Sequence, residues 1–290
     1  MSVYVDGSFY PESQARISVH DHGFLYGDGV FEGIRAYNGR IFRLREHIDR
    51  LFQSSKTISL EIPMSREALM EACAETLRKN NLRDGYLRLV VSRGAGRMGL
   101  DPRNCQKPTV VIIPATYVIT PAGSRPIKAV VASVKRTPPF CLPASAKTLN
   151  YLNNIIARIE AIGADADEAI LLDWRGYVSE GSGDNVFIVK DGRLFTPPLE
   201  ASILGGITRL TAIEVAKKLG IEVTEENLRA HDLHEADEAF LTGTGVEVQP
   251  LVQVDGRKIG TGEEGPITRR IQQGFREETR RPENGYQIWL

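Results

Sequence analysis

Cysteine is scarce in this 290-residue chain: Cys73, Cys105 and Cys141 are odd in number and show no CxxC spacing. That excludes a disulfide framework and predicts reduced thiols in a cytoplasmic protein. No run of 18 apolar residues occurs, which argues against a helical membrane span. The opening "MSVYVDGSFY" reads as strand and turn, without the layout of a signal peptide. Charge of one sign is also missing. A net charge of −1 and a pI near 6.6 give no reason to expect nucleic acid or an anionic membrane as partner. The GxSxG elbow, the P-loop and HExxH are absent. His20 and His22 in "HDH", and His231 and His234 in "HDLH", have no cysteine beside them, so no metal is expected. One absence is local. Between Pro102 and Ile159 there is no Asp or Glu.

What is present is a chain that can bury a large core, with 42% hydrophobic residues, enough for two domains. "VYV"–Asp6–Gly7–"SFYP" and "EGIRAY"–Asn38–Gly39–"RIFRL" predict hairpins, because such pairs accept the positive φ of a tight turn. Leu44, Ile48, Leu51 and Phe52 recur at helical spacing, as do Leu69, Met70, Cys73 and Leu77 behind a Ser65 cap. "GYLRLVVSR" and "PTVVIIPATYV" read as strands, the second too apolar to face solvent. Residues 119–127, with two prolines and a glycine, predict a linker. Further on come the strand "KAVVASVK", a helix through Leu152, Ile155, Ile156 and Ile159, and strands "EAILLD", "NVFIVK" and "EAFLTG". Helices follow from Ile207 to Leu219, stopped by Gly220, and from Ile267 to Phe275. The expectation is two α+β or α/β domains: a small one over 1–118 and a larger one over 128–290.

"GAGRMG" at 94–99 fits the spacing of a dinucleotide-binding turn. Such a turn needs a helix directly after its glycines and an acid about 20 residues on. Here "LDPRNCQKP" follows, with two prolines, and then the acid-free stretch. The glycines are therefore expected to serve a tight turn or a close approach.

Within that acid-free stretch Lys147 has no neighbouring acid. A desolvated lysine can act as nucleophile or base; the same spacing also suits a surface lysine at a helix start. "GGITR" at 205–209 opens a helix, a place suited to phosphate or to a plain turn. "LTGTG" at 241–245 ends a strand, suited to an anion or again to a turn.

Six segments, "HDHGFLYGDGVFEGIRAY", "REHIDRL", "AKTLNYLNN", "GYVSEGSGDNVF", "GGITR" and "FLTGTGVEVQP", occur in this order. Together they resemble the branched-chain aminotransferase family of fold-type IV pyridoxal-phosphate enzymes, over residues 3–275. The resemblance implies the two-domain, D-amino-acid-aminotransferase-like fold with pyridoxal 5′-phosphate between the domains, in a homodimer or higher oligomer with shared active sites. It implies transamination of leucine, isoleucine and valine with 2-oxoglutarate. Lys147 would bond the cofactor and then move a proton at the substrate Cα. Glu180 would face the pyridine nitrogen, and Tyr151 would bond the ring's phenolic oxygen, its i+4 spacing from Lys147 sharing a face if a helix begins there. Arg50 would pair with the phosphate, joined by the cup of Gly206, Ile207, Thr208, Gly243 and Thr244, while Leu204 would press on the ring.

For the substrate, the period of two in "YLRLVV" puts Tyr86 and Arg88 on one strand face. Arg88 would take the distal carboxylate of glutamate, with a salt bridge to a core acid as the structural alternative. Tyr86 with Thr244 and Gly245 would hold the α-carboxylate, and Tyr26 and Phe31 would form apolar wall. Met98, Gly99 and Leu100 would reach the partner subunit's pocket. The chain departs from the family in lacking a "PWG"-type interdomain loop and in reading "GTGVE" where "GTAAE" is common. R-selective amine transaminases, D-amino-acid transaminases and aminodeoxychorismate lyases share the fold and remain alternatives. The Arg93-Gly94-Ala95 stretch lacks the Arg-x-His pair of the D-specific enzymes. A non-catalytic binding protein would have no use for Lys147, Glu180, Tyr151 and Arg50 together.

Overall fold

The computed structural model describes residues 1–116 and 125–289. The elements run β1 (Ser2–Val5), β2 (Ser8–Pro11), α1 (His22–Tyr26), β3 (Gly29–Tyr37), β4 (Arg40–Phe42), α2 (Leu44–Thr57), α3 (Arg66–Lys79), β5 (Gly85–Ser92) and β6 (Thr109–Ala115). Then follow β7 (Ile127–Lys135), α4 (Leu152–Gly163), β8 (Glu168–Leu172), β9 (Val178–Gly181), β10 (Asn185–Lys190), β11 (Arg193–Thr196) and α5 (Ile207–Lys218). The last are β12 (Val223–Glu225), α6 (Ala230–Glu235), β13 (Glu238–Gly243), β14 (Glu247–Val254), β15 (Arg257–Lys258), α7 (Pro266–Arg280) and β16 (Gly285–Gln287).

The chain divides into two units. The first gathers Met1–Val118, Ala146–Asn150 and Thr279–Leu290; the second holds Ile119–Ser145 and Tyr151–Glu278. The expected second domain, 128–290, is thus broken: two of its segments belong with the first unit. Most of the expected 119–127 linker, and Tyr117 and Val118 of the strand before it, lie outside the described residues.

In the first unit a seven-stranded sheet runs β16-β4-β3-β5-β6-β1-β2. Alternation along β3 and β5 sends Val30, Ile34, Leu87, Leu89 and Val91 to one face. There they join Leu44, Ile48 and Leu51 of α2 and Leu69, Cys73 and Leu77 of α3 in one core. Each such side chain contributes about 1.5–3 kcal/mol when fully buried. Ser65 caps α3, accepting from the Ala68 N–H. Burial alternates along β6: Val110 and Ile112 are buried but Ile113 is exposed. The expectation that this strand is too apolar for solvent holds for one face only, because pleating sends neighbours to opposite sides.

The second unit is built on a sheet ordered β12-β11-β10-β13-β14-β7-β8-β9, with β15 on β14. Ile170, Val186, Leu241 and Leu251 belong to one hydrophobic core of this unit. Helix α4 packs through small residues, Ala157 and Ala161, against Ala132, Ala169 and Leu171. Its opposite side carries Leu152, Ile155, Ile156, Ile159 and Ile162, all exposed. No described helix is long and apolar enough to cross a membrane.

Candidate active site

The first unit supplies the lysine. Residues 146–150 return to lie antiparallel beside β3, with a bridge between Val30 and Thr148. The Phe31 N–H donates to the Lys147 carbonyl at 3.0 Å and the Leu149 N–H to the Gly29 carbonyl at 2.9 Å. The Lys147 N–H itself donates to Ser54 Oγ of α2 at 3.0 Å. The lysine therefore stands on strand-like backbone held from two elements. This corrects the helical spacing expected for Lys147 and Tyr151: α4 begins at Leu152, and Tyr151 is its N-cap.

Around Lys147 the sheet face is mixed. Its Nζ lies 4.7 Å from the centre of the Phe31 ring, and the Arg88 guanidinium stands 4.6 Å from the same ring. Phe31 pairs with Val90, Gly33 with Arg88 and Arg35 with Tyr86, so Phe31, Arg88 and Tyr86 share one face as the period of two predicts. The Tyr86 hydroxyl lies over Gly33, only 2.1 Å from where a Cβ would stand. No described acid forms an ion pair with Arg88; its contacts are the Phe31 and Tyr86 rings. A cation placed among aromatic faces keeps its hydrogen-bonding edge for an anion.

Arg50 projects from α2 and is gripped by Glu32 of β3, Nε to Oε1 at 2.7 Å and Nη2 to Oε2 at 2.8 Å. His47 Nδ1 lies 2.8 Å from the same Oε2. Burial pushes the Glu32 carboxyl up, but the Arg50 and His47 charges outweigh it and hold it down at about 2. Burial also pushes the His47 pKa down, against the pull of Glu32. Neither Glu32, His47 nor Ser54 stood out in the sequence. The available signal was Glu32 itself, a charge inside the apolar strand "GVFEGI".

Tyr26 closes α1 and its Oη accepts from the Gly99 N–H at 3.0 Å. The "GAGRMG" stretch opens no α-helix. It leads into a short 3-10 turn at Pro102–Asn104, and Met98 and Leu100 are 74% and 83% exposed.

The second unit supplies a carboxylate and an anion cup. Glu180 of β9 is buried. Its Oε1 accepts from Arg136 Nε at 2.8 Å, and its Oε2 from the Leu204 N–H at 2.8 Å. Asn185 Nδ2 donates to the Leu204 carbonyl at 2.9 Å, fixing the backbone before α5. Helix α5 starts at Ile207 behind Gly206, and no side chain caps its first N–H groups. A Cβ on Gly206 would stand 2.1 Å from Asn185 Oδ1, so only glycine fits. Ile207 and Thr208 are buried. Thr244 and Gly245 form the turn between β13, which ends at Gly243, and β14. An uncapped helix start binds a phosphate group well. A buried carboxylate oriented by an arginine and a backbone N–H suits a protonated ring nitrogen. This donor set fits a phosphorylated pyridine cofactor. Arg136 and Asn185 are the supports that sequence reasoning missed.

The family model for amino-transferase class IV matches residues 29–254, and the chain belongs to that family. A Methanocaldococcus jannaschii protein, provisionally named a branched-chain-amino-acid aminotransferase, is 51% identical over 96% of each chain. The crystal structure of the Escherichia coli branched-chain amino acid aminotransferase superposes with a TM-score of 0.95 at 39% identity, covering 99% of both chains. That of the Thermobaculum terrenum branched-chain amino acid aminotransferase, in its pyridoxal-phosphate holo-form, gives 0.91 at 29% identity, covering 100% of this chain and 98% of that one.

Proposed function

We propose that this enzyme transfers the amino group of leucine, isoleucine or valine to 2-oxoglutarate, using pyridoxal 5′-phosphate. One observation carries the substrate reading: Arg88, without a described acid partner, stands on the Phe31 ring next to Lys147. A face that pairs an aromatic wall with an unclaimed cation suits a hydrocarbon side chain in one half-reaction and a distal carboxylate in the other.

Bound pyridoxal phosphate supplies an electron sink for the charge left on the substrate Cα. Lys147 Nζ takes and returns the proton at that carbon. Glu180 keeps the ring nitrogen protonated, and Arg136 holds Glu180 in place for it. Arg50, Ile207, Thr208 and Thr244 hold the phosphate, with Gly206 and Gly243 giving it room. Tyr151 bonds the phenolic oxygen and Leu204 covers the ring. Tyr86, Thr244 and Gly245 hold the α-carboxylate, while Tyr26 and Phe31 wall the side chain.

The protein is further proposed to work as a homodimer in the cytoplasm. The exposed apolar stripe of α4 supports self-association, as do the exposed Met98 and Leu100, proposed to enter the partner's pocket. The unpaired Cys73, Cys105 and Cys141 suit a reducing compartment.

The test is a set of single half-reactions on the holoenzyme with L-leucine, D-alanine and R-1-phenylethylamine, followed by the bleaching of its cofactor absorbance. L-Leucine is expected to react fastest. Bleaching by D-alanine alone would sink the assignment, and faster bleaching by the amine would move it to the amine transaminases.

A further inference from the structure

The second histidine of "HDHGFLY", His22, has no part in the chemistry above, yet it is buried and bonded. His22 Nε2 lies 2.9 Å from the Arg97 carbonyl oxygen. A carbonyl only accepts, so this nitrogen carries the ring proton and donates it. One turn later the Tyr26 hydroxyl receives the Gly99 N–H. The two rings meet edge to face, centroids 5.0 Å apart. The loop stem is tied to the same segment: the His22 N–H donates to the Gly94 carbonyl at 3.0 Å and the Gly96 N–H to the His20 carbonyl at 3.1 Å. Helix α1 is anchored in turn. Asp21 accepts from the Gly23 N–H and from Ser92 Oγ of β5, each at 2.8 Å. The backbone of 94–99 is therefore bonded along α1 while the Met98 and Leu100 side chains stand in solvent.

We infer that His22 is a positioning residue which, together with the Tyr26 hydroxyl, fixes the tip at 97–100, and through it the affinity for a hydrocarbon substrate side chain. The inference rests on the reading that Met98 and Leu100 line a substrate pocket. It adds that their placement is set by two side chains of α1. A free tip with two large exposed apolar side chains would sample many positions, and ordering it would then weigh against substrate binding.

Trypsin tests this directly, because the bond after Arg97 is the one whose carbonyl His22 holds. Native holoenzyme is compared with His22→Leu, His22→Gln and Tyr26→Phe, scoring nicking between Arg97 and Met98 by mass. Where local opening is fast, nicking follows the open population. Loss of one hydrogen bond of about 1 kcal/mol should therefore speed it roughly fivefold in His22→Leu and in Tyr26→Phe. Glutamine presents an amide donor where Nε2 stood and should restore the native rate. In His22→Leu the KM for L-leucine should rise several-fold, with kcat and the KM for L-glutamate near native. Unchanged nicking in both His22→Leu and Tyr26→Phe overturns the positioning role. Faster nicking with an unmoved leucine KM overturns the link to specificity. In that outcome the staple is real and the pocket reading is what fails.

Discussion

Each unit holds a buried arginine–glutamate pair, and the two pairs are built differently. In the first, Glu32 is fully sealed while Arg50 keeps 12% of its side chain exposed. Both carboxylate oxygens are taken by Arg50, and one also by His47. In the second, Arg136 and Glu180 are about equally buried, and Glu180 divides its oxygens between a guanidinium and a backbone N–H. In the proposed site this means opposite uses: Glu32 supports a cation that meets phosphate, whereas Arg136 supports an anion that meets a ring nitrogen. The lesson is that a buried ion pair need not be judged by its stability alone. Which partner retains reach decides what the pair can do.

The comparison can be broken most forcefully at the second pair. Glu180→Gln keeps the shape and removes the charge, so kcat should fall about 10²–10³-fold, the scale for losing one electrostatic stabiliser. Cofactor affinity should change far less. If kcat holds, Glu180 is only a partner for Arg136. At the first pair the effect should appear in stability. Glu32 sits at about 2, below its usual 4.5, so its ionised form stabilises the fold above about pH 4.5. That stability fades as pH falls towards 2, by about 3 kcal/mol at most. Urea unfolding between pH 6 and 2 should show a steeper acid loss in the native protein than in Glu32→Gln, and equal slopes would refute the pairing. The smallest effect is expected at Arg88, which belongs to neither pair. Arg88→Met should raise the KM for glutamate and 2-oxoglutarate about tenfold, the worth of one charge-assisted contact. L-Leucine kinetics and the urea midpoint should barely move, because no acid is left unpaired. A marked loss of stability would show that Arg88 is structural after all.

Much of the framework could be read from local chemistry. Asp6–Gly7 and Asn38–Gly39 both take positive φ at each residue, as a two-residue hairpin turn requires. The period of two along "YLRLVV" is enough to set Tyr86 and Arg88 on one face. Motif order singles out Lys147, Glu180 and the glycine-led start of α5, the residues proposed to hold the cofactor. The supports were harder. Glu32 finds its partners on α2, 15 and 18 residues later, and Arg136 meets Glu180 across 44 residues; neither separation has a period. Lys147 misled through its neighbours, since "KTLNYLNN" looks like a helix start whereas its backbone bonds with β3. Helix α4 was visible, but not that its isoleucines face outward while two alanines make the packing. Periodicity identifies an apolar stripe and leaves open whether that stripe meets the core or another surface.

The first unit also draws on three separate stretches of chain. Strand β16 pairs with β4 across more than half the sequence, Gly285 opposite Phe42, and the Lys147 segment lies beside β3. On the ribosome, β3 and β4 emerge long before either. Until then β4 has no strand to take the place of β16, and the backbone of Gly29 and Phe31 lacks its bonds to residues 147 and 149. Such late closure slows folding and leaves bare strand edges open to mispairing. The bonds between β3 and the Lys147 segment can therefore form once residue 149 has emerged, whereas the edge of the sheet at β4 stays open until translation has passed through the whole of the second unit.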